Sequence, residues 1–571
     1  MNAELAGVAL SFFLTLAIGF PLGKYIARMF AGGKTGLDFL SPLEKWLFKF
    51  CGIDPHRKMN WKEFLQAMLA ANLLWFVYAF VLFLLQGRLP LNPDHNPGMT
   101  PDLSFNSAIS FLVNCDLQDY SGETGATYLT QHFVIMFLQF TSAATGIACL
   151  VALFNALRDK TTQNLGNFWV IFTKSITRLL LPLSLIVAIL LAFHGTPTSY
   201  RGKDSIITLQ GDTVQVSRGP AAGMIAIKHL GTNGGGWFGV NSAHPLENPD
   251  YFTNMLEVVV QVTIPVAMVF ALGFYIRRRK LALVIFGVMT LGMLCLVIPT
   301  MVTEIHGNPA LARMGLAQPT GAMEGKEVRF GPVASGYWSI VTTIISTGSV
   351  NSMHDSAMPL SGLMQLLGML VNAFYGGCGV GLLNFYIYII ITVFISGLMV
   401  GRTPEFLGHK VEAREVKIAA LVTLLSAFII KGGTALAAFY LVHHPDINWA
   451  AKPTTWLNNP GYHGFSEMLY QFTSANANNG SGFGGLSANN PFWNITTGFA
   501  MIFGRFLPII GPIAIAGLLA GKKYVPQSAG TLRVDSATFG VMTFAVIFII
   551  TALSYFPPLV LGPIAEYLSL R

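Results

Sequence analysis

Met224-Ile225-Ala226-Ile227-Lys228-His229-Leu230, running into Gly231-Thr232-Asn233-Gly234-Gly235-Gly236, is the stretch whose reading decides the fold. Its apolar half is much shorter than the ~20 residues a bilayer-crossing helix needs. Its other half is small and glycine-rich, which disfavours continued helix. Such a segment enters a membrane and turns back, and irregular backbone at that depth persists only where protein or water lines it. Three further stretches have the same form. Phe105-Asn106-Ser107-Ala108-Ile109-Ser110-Phe111-Leu112-Val113 leads into Asn114-Cys115-Asp116-Leu117-Gln118. Ile340-Val341-Thr342-Thr343-Ile344-Ile345 leads into Ser346-Thr347-Gly348-Ser349-Val350-Asn351. Met468-Leu469-Tyr470-Gln471-Phe472-Thr473-Ser474 leads into Ala475-Asn476-Ala477-Asn478-Asn479-Gly480-Ser481. The four recur about 115 to 130 residues apart, an internal repetition that sets the architecture.

Long apolar runs flank each of these stretches. About ten are long enough to cross a bilayer, at roughly 5–27, 62–86, 129–156, 168–194, 252–276, 281–302, 361–400, 415–442, 490–520 and 536–562. The predicted fold is an all-α polytopic membrane protein: span, pore helix, small-residue loop and span, repeated four times around a pseudo-fourfold axis, with one extra helix at each terminus. The repeats are expected at 62–157, 158–280, 281–414 and 415–523, between an N-terminal helix and linker (1–61) and a C-terminal helix (524–571). The 361–400 run is too long for one straight crossing, and Gly376-Gly377-Cys378-Gly379-Val380-Gly381 interrupts it, so a broken helix is predicted there.

Composition agrees. Of 571 residues 53% are hydrophobic and 11% charged, against about 25% charged in soluble domains. Mean hydropathy is +0.56, and no hydrophilic block is long enough to be a soluble domain. The net charge of +8 is ordered rather than diffuse. Lys34, Lys45, Lys49, Arg57 and Lys58; Arg158 and Lys160; Arg277, Arg278, Arg279 and Lys280; Arg402, Lys410 and Arg414; and Lys522, Lys523 and Arg533 fill alternate loops. The positive-inside rule makes those loops cytoplasmic and the four re-entrant loops extracytoplasmic, with the N-terminus outside. No basic stripe suggests nucleic acid. The five cysteines are odd in number and mostly apolar in setting, which is no disulfide framework.

Four loops of Gly, Thr, Ser and Asn behind short helices on one side have what a potassium filter needs. Such a filter replaces the ion's water shell with rings of backbone carbonyls. Glycine permits the backbone angles that turn carbonyls inward, and amide and hydroxyl side chains can brace the loops. The candidate filter residues are Asn114, Cys115 and Asp116; Thr232, Asn233, Gly234 and Gly235; Ser346, Thr347 and Gly348; and Asn476, Ala477, Asn478, Asn479 and Gly480, with Gln118 flanking.

Several strings are similar to one family. Asn114-Cys115-Asp116-Leu117-Gln118 with Ser121-Gly122-Glu123, Gly231–Gly236 with Asn241-Ser242-Ala243-His244-Pro245, Ser346-Thr347-Gly348 with Asn351-Ser352-Met353-His354-Asp355-Ser356, and Asn478-Asn479-Gly480-Ser481 resemble the filter loops of KdpA proteins. These are the potassium-binding A subunits of Kdp potassium-pumping ATPases. Gly401-Arg402-Thr403-Pro404-Glu405 and Gly504-Arg505-Phe506 resemble two further motifs of that family. The resemblance covers essentially the whole chain. It implies a bacterial inner-membrane subunit that takes potassium into the filter from outside and passes it sideways to a P-type ATPase partner (KdpB-like). A KdpC-like subunit and a small KdpF-like peptide complete the implied complex. It implies no cofactor, and no metal other than the transported K+. Gly376, Gly377, Cys378, Gly379 and Gly381 would then form an intramembrane gate below the filter, with Arg505 as a positive barrier beside it, and Arg402, Thr403, Pro404 and Glu405 a cytoplasmic motif. The first loop departs from the pattern in having no glycine in its triplet, and Asn372 stands where the family suggests a glutamate.

Other readings compete. A stand-alone potassium channel or secondary transporter of the same superfamily would carry the same filter. A membrane enzyme would need a nucleophile or metal cluster at membrane depth, and none is evident. Arg158-Asp159-Lys160-Thr161-Thr162 has threonine where the aspartyl-phosphate motif of P-type ATPases has glycine, and no nucleotide domain follows it. It reads as a polar loop, so this subunit should not hydrolyse ATP. His443 and His444 are adjacent, point apart on a helix and do not suggest a metal site.

Overall fold

A computed structural model describes residues 2–399, 401, 403–443, 456–526 and 533–570. Among the described residues ten helices are long and apolar enough to cross a membrane, and they fall on the ten apolar runs. Thr130–Arg158 and Tyr251–Tyr275 are innermost, with 83% and 89% of their most apolar stretch buried, against 17% for the first helix, Ala3–Phe30. The centre of the bundle therefore belongs to the repeats. The N-terminal helix lies outside them, packed along Tyr251–Tyr275.

Sequence explains where the helices begin. Asn60 starts the span Trp61–Leu85 as a capping box: its side chain accepts the Lys62 and Glu63 amides, and Glu63 Oε2 accepts the Asn60 amide. Proline occupies the first turn of Pro101–Leu112, Gly331–Ile344, Pro359–Val371 and Pro491–Ala520, where its missing N–H costs nothing.

Pro101–Leu112, Ala222–Leu230, Gly331–Ile344 and Gly461–Ala477 are the four pore helices. Each follows one span and precedes the next, so by parity all four enter from one side. The Glu4 carboxylate of the N-terminal helix accepts the Val333 amide at 3.1 Å, at the start of the third pore helix. The chain's beginning thus lies on that side. The ring closes through Asn106 of the first pore helix, whose Nδ2 donates to Asn494 O and Thr497 Oγ1, both at 2.8 Å, in the last span of the fourth repeat.

Two features depart from the sequence reading. The third and fourth pore helices are longer than their apolar stretches, because Gly331–Ser339 and Gly461–Glu467 carry small and polar residues that look like loop. Much of that surface is buried against protein rather than lipid, so it needs no apolar signature. The loop before the second pore helix holds a hairpin of Lys203–Ile207 with Thr213–Ser217. The break expected in the 361–400 run is present: the run divides into Pro359–Val371 and Val380–Met399, and Asn372 ends the first half in a left-handed conformation (φ 44°).

Candidate functional site: four converging loops

Each pore helix ends in a triplet of matching backbone form. Asn114, Thr232, Ser346 and Asn478 open the triplets with φ of 62°, 54°, 51° and 51°. In the next position the amides of Cys115, Asn233, Thr347 and Asn479 donate to carbonyls five residues back, Ser110 O, Lys228 O, Thr342 O and Ser474 O, at 2.8–3.0 Å. Positive φ at a β-branched residue such as Thr232 is a strained conformation, kept where surrounding structure over-determines it. The repeat is therefore one of backbone geometry, although the side chains differ.

The third position closes the loops on one another. A Cβ on Gly234 would stand 2.6 Å from Thr347 O. A Cβ on Gly348 would collide with Asn479 O, and one on Gly480 with Cys115 O. The second loop thus abuts the third, the third the fourth, and the fourth the first. Gly348 and Gly480 have φ of 78° and 101°, which L side chains rarely adopt. In the first loop Asp116 holds this position at φ 59°, and its Cβ would lie 3.2 Å from one built on Gly235.

Side-chain amides and hydroxyls brace the ring. Asn114 Nδ2 donates to Thr232 O at 2.7 Å, and Ser142 Oγ donates to Asn114 Oδ1 at 2.9 Å and Asn233 Oδ1 at 3.2 Å. Asn479 Nδ2 donates to Thr342 O at 2.8 Å, and Gln118 Oε1 accepts the Gly236 amide at 2.8 Å. Behind the second loop, buried Lys228 pairs with Glu247 and donates to Asn241 Oδ1 at 2.6 Å, while Asn241 Nδ2 holds Gly234 O at 2.7 Å. Sequence reasoning missed this support. A lysine inside Met224–Leu230 was the available signal.

Asp116 is 1% exposed; Gln139 Nε2 donates to its Oδ2 at 3.2 Å, and its Oδ1 has no partner among the described residues. Burial pushes its carboxyl up to about 8 and that of Asp119 up to about 7. Both line a vestibule of about 950 Å³ that opens above the triplets and also reaches Glu327, Gly348 and Gly480.

Other site candidates fall around this ring. Asn476 and Ala477 belong to the last turn of the fourth pore helix and do not join the converging backbone. Ala477 O instead accepts Ser346 Oγ at 3.2 Å and Asn372 Nδ2 at 3.1 Å, so Asn372 is tied to the loops. The glycine break is wedged under the second loop: the Cys378 amide donates to Thr232 Oγ1 at 2.9 Å and Cys378 Sγ to Leu230 O at 3.3 Å. A Cβ on Gly376 would collide with Gly381, and one on Gly379 with Gly146 O, while Gly377 lies 3.4 Å from Thr232 Oγ1 by the same measure. Arg505, 4% exposed, donates to Ser142 O at 2.8 Å and approaches Gly146 beside the break. No carboxylate pairs with it among the described residues. A small cleft of about 60 Å³ lies beside the break, lined by Asn372, Asn384, Tyr388, Thr423 and Asn476. Of the motif on the opposite side of the bundle, Arg402 lies outside the described residues. Pro404 O accepts the Val411 amide at 2.9 Å after Thr403, and Glu405–Phe406 pairs with His409–Lys410.

Comparison with known proteins adds descent to this geometry. The family model described as KdpA, potassium-transporting ATPase A subunit, matches residues 9–568. A potassium-transporting ATPase potassium-binding subunit of Flavobacterium johnsoniae is 64% identical over 574 residues, covering 100% of both chains. The protein of the same name in Phocaeicola vulgatus is 57% identical over 570 residues, again with 100% of both covered. That of Alicyclobacillus acidocaldarius is 47% identical over 99% of this chain and 100% of its own. Among solved structures, the potassium transporter TrkH from Vibrio parahaemolyticus aligns over 90% of this chain and 98% of its own, at 13% identity and a TM-score of 0.49. On the family match and the full-length identities, the chain belongs to the KdpA family, the A subunits of potassium-transporting ATPases.

Proposed function

We propose that this chain is the potassium-binding, selectivity-setting subunit of an ATP-driven potassium importer in the bacterial inner membrane, with its four loops facing outward. The observation that carries the reading is the ring of triplets, in which Gly234, Gly348 and Gly480 each press against a backbone carbonyl of the next loop. Backbone packed this closely can present oxygens to a dehydrated cation. The pore helices end at the triplets, so their C-terminal partial charges of about −0.5 each favour a cation there. In the vestibule, Glu327 and Asp119 attract cations, and an arriving ion favours the ionised form of Asp116.

Below the ring, the buried Arg505 guanidinium opposes straight descent of a cation, and the glycine break at Gly376–Gly381 acts as a gate beneath the second loop. From the small cleft at Asn372 and Asn384 the ion passes sideways towards a P-type ATPase partner (KdpB-like), with KdpC-like and KdpF-like chains as further subunits. This subunit binds and passes K+ and leaves ATP hydrolysis to that partner. The test is a density map of the complex in rubidium or thallium. Peaks between the four triplets are expected, and their absence at saturating ion would overturn the reading.

A further inference from the structure

Away from the ring, three parts of the chain bring together charges that the transport reading does not use. Asp355 follows the third loop, His463 and Glu467 stand in the first turns of the fourth pore helix, and Glu566 lies in the closing helix Ala565–Ser569. His463 Nδ1 meets Glu566 Oε1 at 2.8 Å, and its Nε2 meets Asp355 Oδ1 at 2.9 Å. One oxygen each of Asp355 and Glu467 and one nitrogen of His463 lie within 4.8 Å of one another. Glu467 is 0% exposed; Oε1 accepts Asn459 Nδ2 at 3.1 Å, and Oε2 has no partner among the described residues.

Charge and geometry define what fits. Three carboxylates surround one imidazole, and among the described residues no lysine or arginine pairs with any of them. Gly485 lets the backbone approach both inner acids: a Cβ there would collide with Glu467 Oε1 and come 2.6 Å from Asp355 Oδ2. In the tautomer whose Nδ1–H donates to Glu566, Nε2 and the Asp355 oxygen are both acceptors. Two acceptors at that distance need a proton or a metal between them. A carboxylate on the far nitrogen of a histidine is the usual arrangement behind a bound metal. Stacking on Phe483 (centroids 5.8 Å apart, planes 8° apart) fixes the imidazole plane.

We propose that Asp355, His463 and Glu467 form a binding site for a divalent first-row transition cation of the zinc class, with Glu566 orienting His463. One nitrogen and two carboxylate ligands suit zinc or its neighbours rather than an alkali ion. Metal–ligand bonds near 2.0 Å set ligand atoms about 3.3 Å apart, so the Nε2–Oδ1 pair opens slightly and the wider pairs close by a side-chain adjustment. Occupancy would clamp the segment after the third loop to the fourth pore helix and to the closing helix.

The test uses the full chain in lipid nanodiscs, treated with EDTA, dialysed and titrated with Co²⁺ and then Zn²⁺. One Co²⁺ per chain is expected, with visible d–d absorption that Zn²⁺ abolishes. His463→Gln should weaken binding at least tenfold. Glu566→Gln, at the part-exposed rim, should weaken it by about 10- to 100-fold, as loss of an orienting carboxylate does. No saturable binding by the parent chain would mean that a proton alone bridges His463 and Asp355, and would overturn the proposal. Undiminished binding in both variants would overturn it as well, by showing an adventitious ion only.

Discussion

Gly480→Ala should damage ion binding while Gly482→Ala, two residues along the same loop, should not. At Gly480 φ is 101° and the new methyl would collide with the Cys115 carbonyl oxygen. Left-handed backbone costs an L residue about 1–2 kcal/mol, and forcing a methyl group into packed structure costs about 1–3 kcal/mol. The sum, about 2–5 kcal/mol, is relieved only by turning Cys115 O away from the axis. Charged against the ion-bound arrangement at 1.4 kcal/mol per tenfold, it corresponds to roughly 30-fold to a few thousand-fold in apparent affinity. At Gly482 a methyl meets only Gln471 Oε1, at 3.5 Å, an ordinary contact. The assay is the K+ dependence of ATP hydrolysis by the reconstituted complex, repeated with Rb+. For Gly480→Ala the half-saturating concentration should rise at least 30-fold and the preference between the ions should narrow. For Gly482→Ala both should stay within about twofold. An unchanged half-saturation in Gly480→Ala, or equal damage from both substitutions, would refute the argument that glycine is required by the neighbouring carbonyl.

Asp119 carries a pH dependence. Its folded pKa of about 7 lies above the unfolded value near 3.9, so the folded chain holds this proton more tightly and loses stability as pH rises from about 4 towards 7. Asp119→Asn cannot lose a proton, so its gain in thermal midpoint over the parent should be larger at pH 8 than at pH 5; a gain independent of pH would contradict the shift. Glu44 and Arg178 form a buried bidentate pair, with Nε–Oε1 at 2.7 Å and Nη2–Oε2 at 2.6 Å, tying the helix Ser41–Phe50 to the span Phe168–Phe193. Glu44→Gln leaves the buried guanidinium with Asp38 Oδ1, 2.7 Å from its Nη1, as its remaining carboxylate partner and should cost about 1–3 kcal/mol, read as a lower midpoint of thermal unfolding in detergent. An unaltered midpoint would show the pair to be dispensable.

Architecture was legible in the sequence because lipid imposes one requirement on every span, a long apolar helix, and the ten runs met it. The pore helices were half legible. Ile340–Ile345 and Met468–Ser474 showed as apolar cores, yet Gly331-Pro332 and Gly461-Tyr462-His463 looked like loop, since helix buried in protein can be polar. Of the site, the triplets at Asn114, Thr232, Ser346 and Asn478 were visible as composition, but not their common φ or the order in which each glycine meets the next loop's carbonyl. Asn476 and Ala477 were drawn into the filter because a run of amide and small residues does not show where its helix stops. The Asp355, His463 and Glu566 cluster was beyond reach: a pairing across 103 residues leaves no local pattern.

The glycine break between Val371 and Val380 occurs in one repeat, while Thr130–Arg158, Tyr251–Tyr275 and Pro491–Ala520 run unbroken at the corresponding places. An assembly of identical subunits must copy every insertion into each member, so an obstruction in one becomes an obstruction in all. A single polypeptide is free of that rule. It can keep its upper storey nearly symmetric, where ions are sorted, and make the floor lopsided. On the proposed reading, the direction in which an ion departs would thereby be written into the covalent chain.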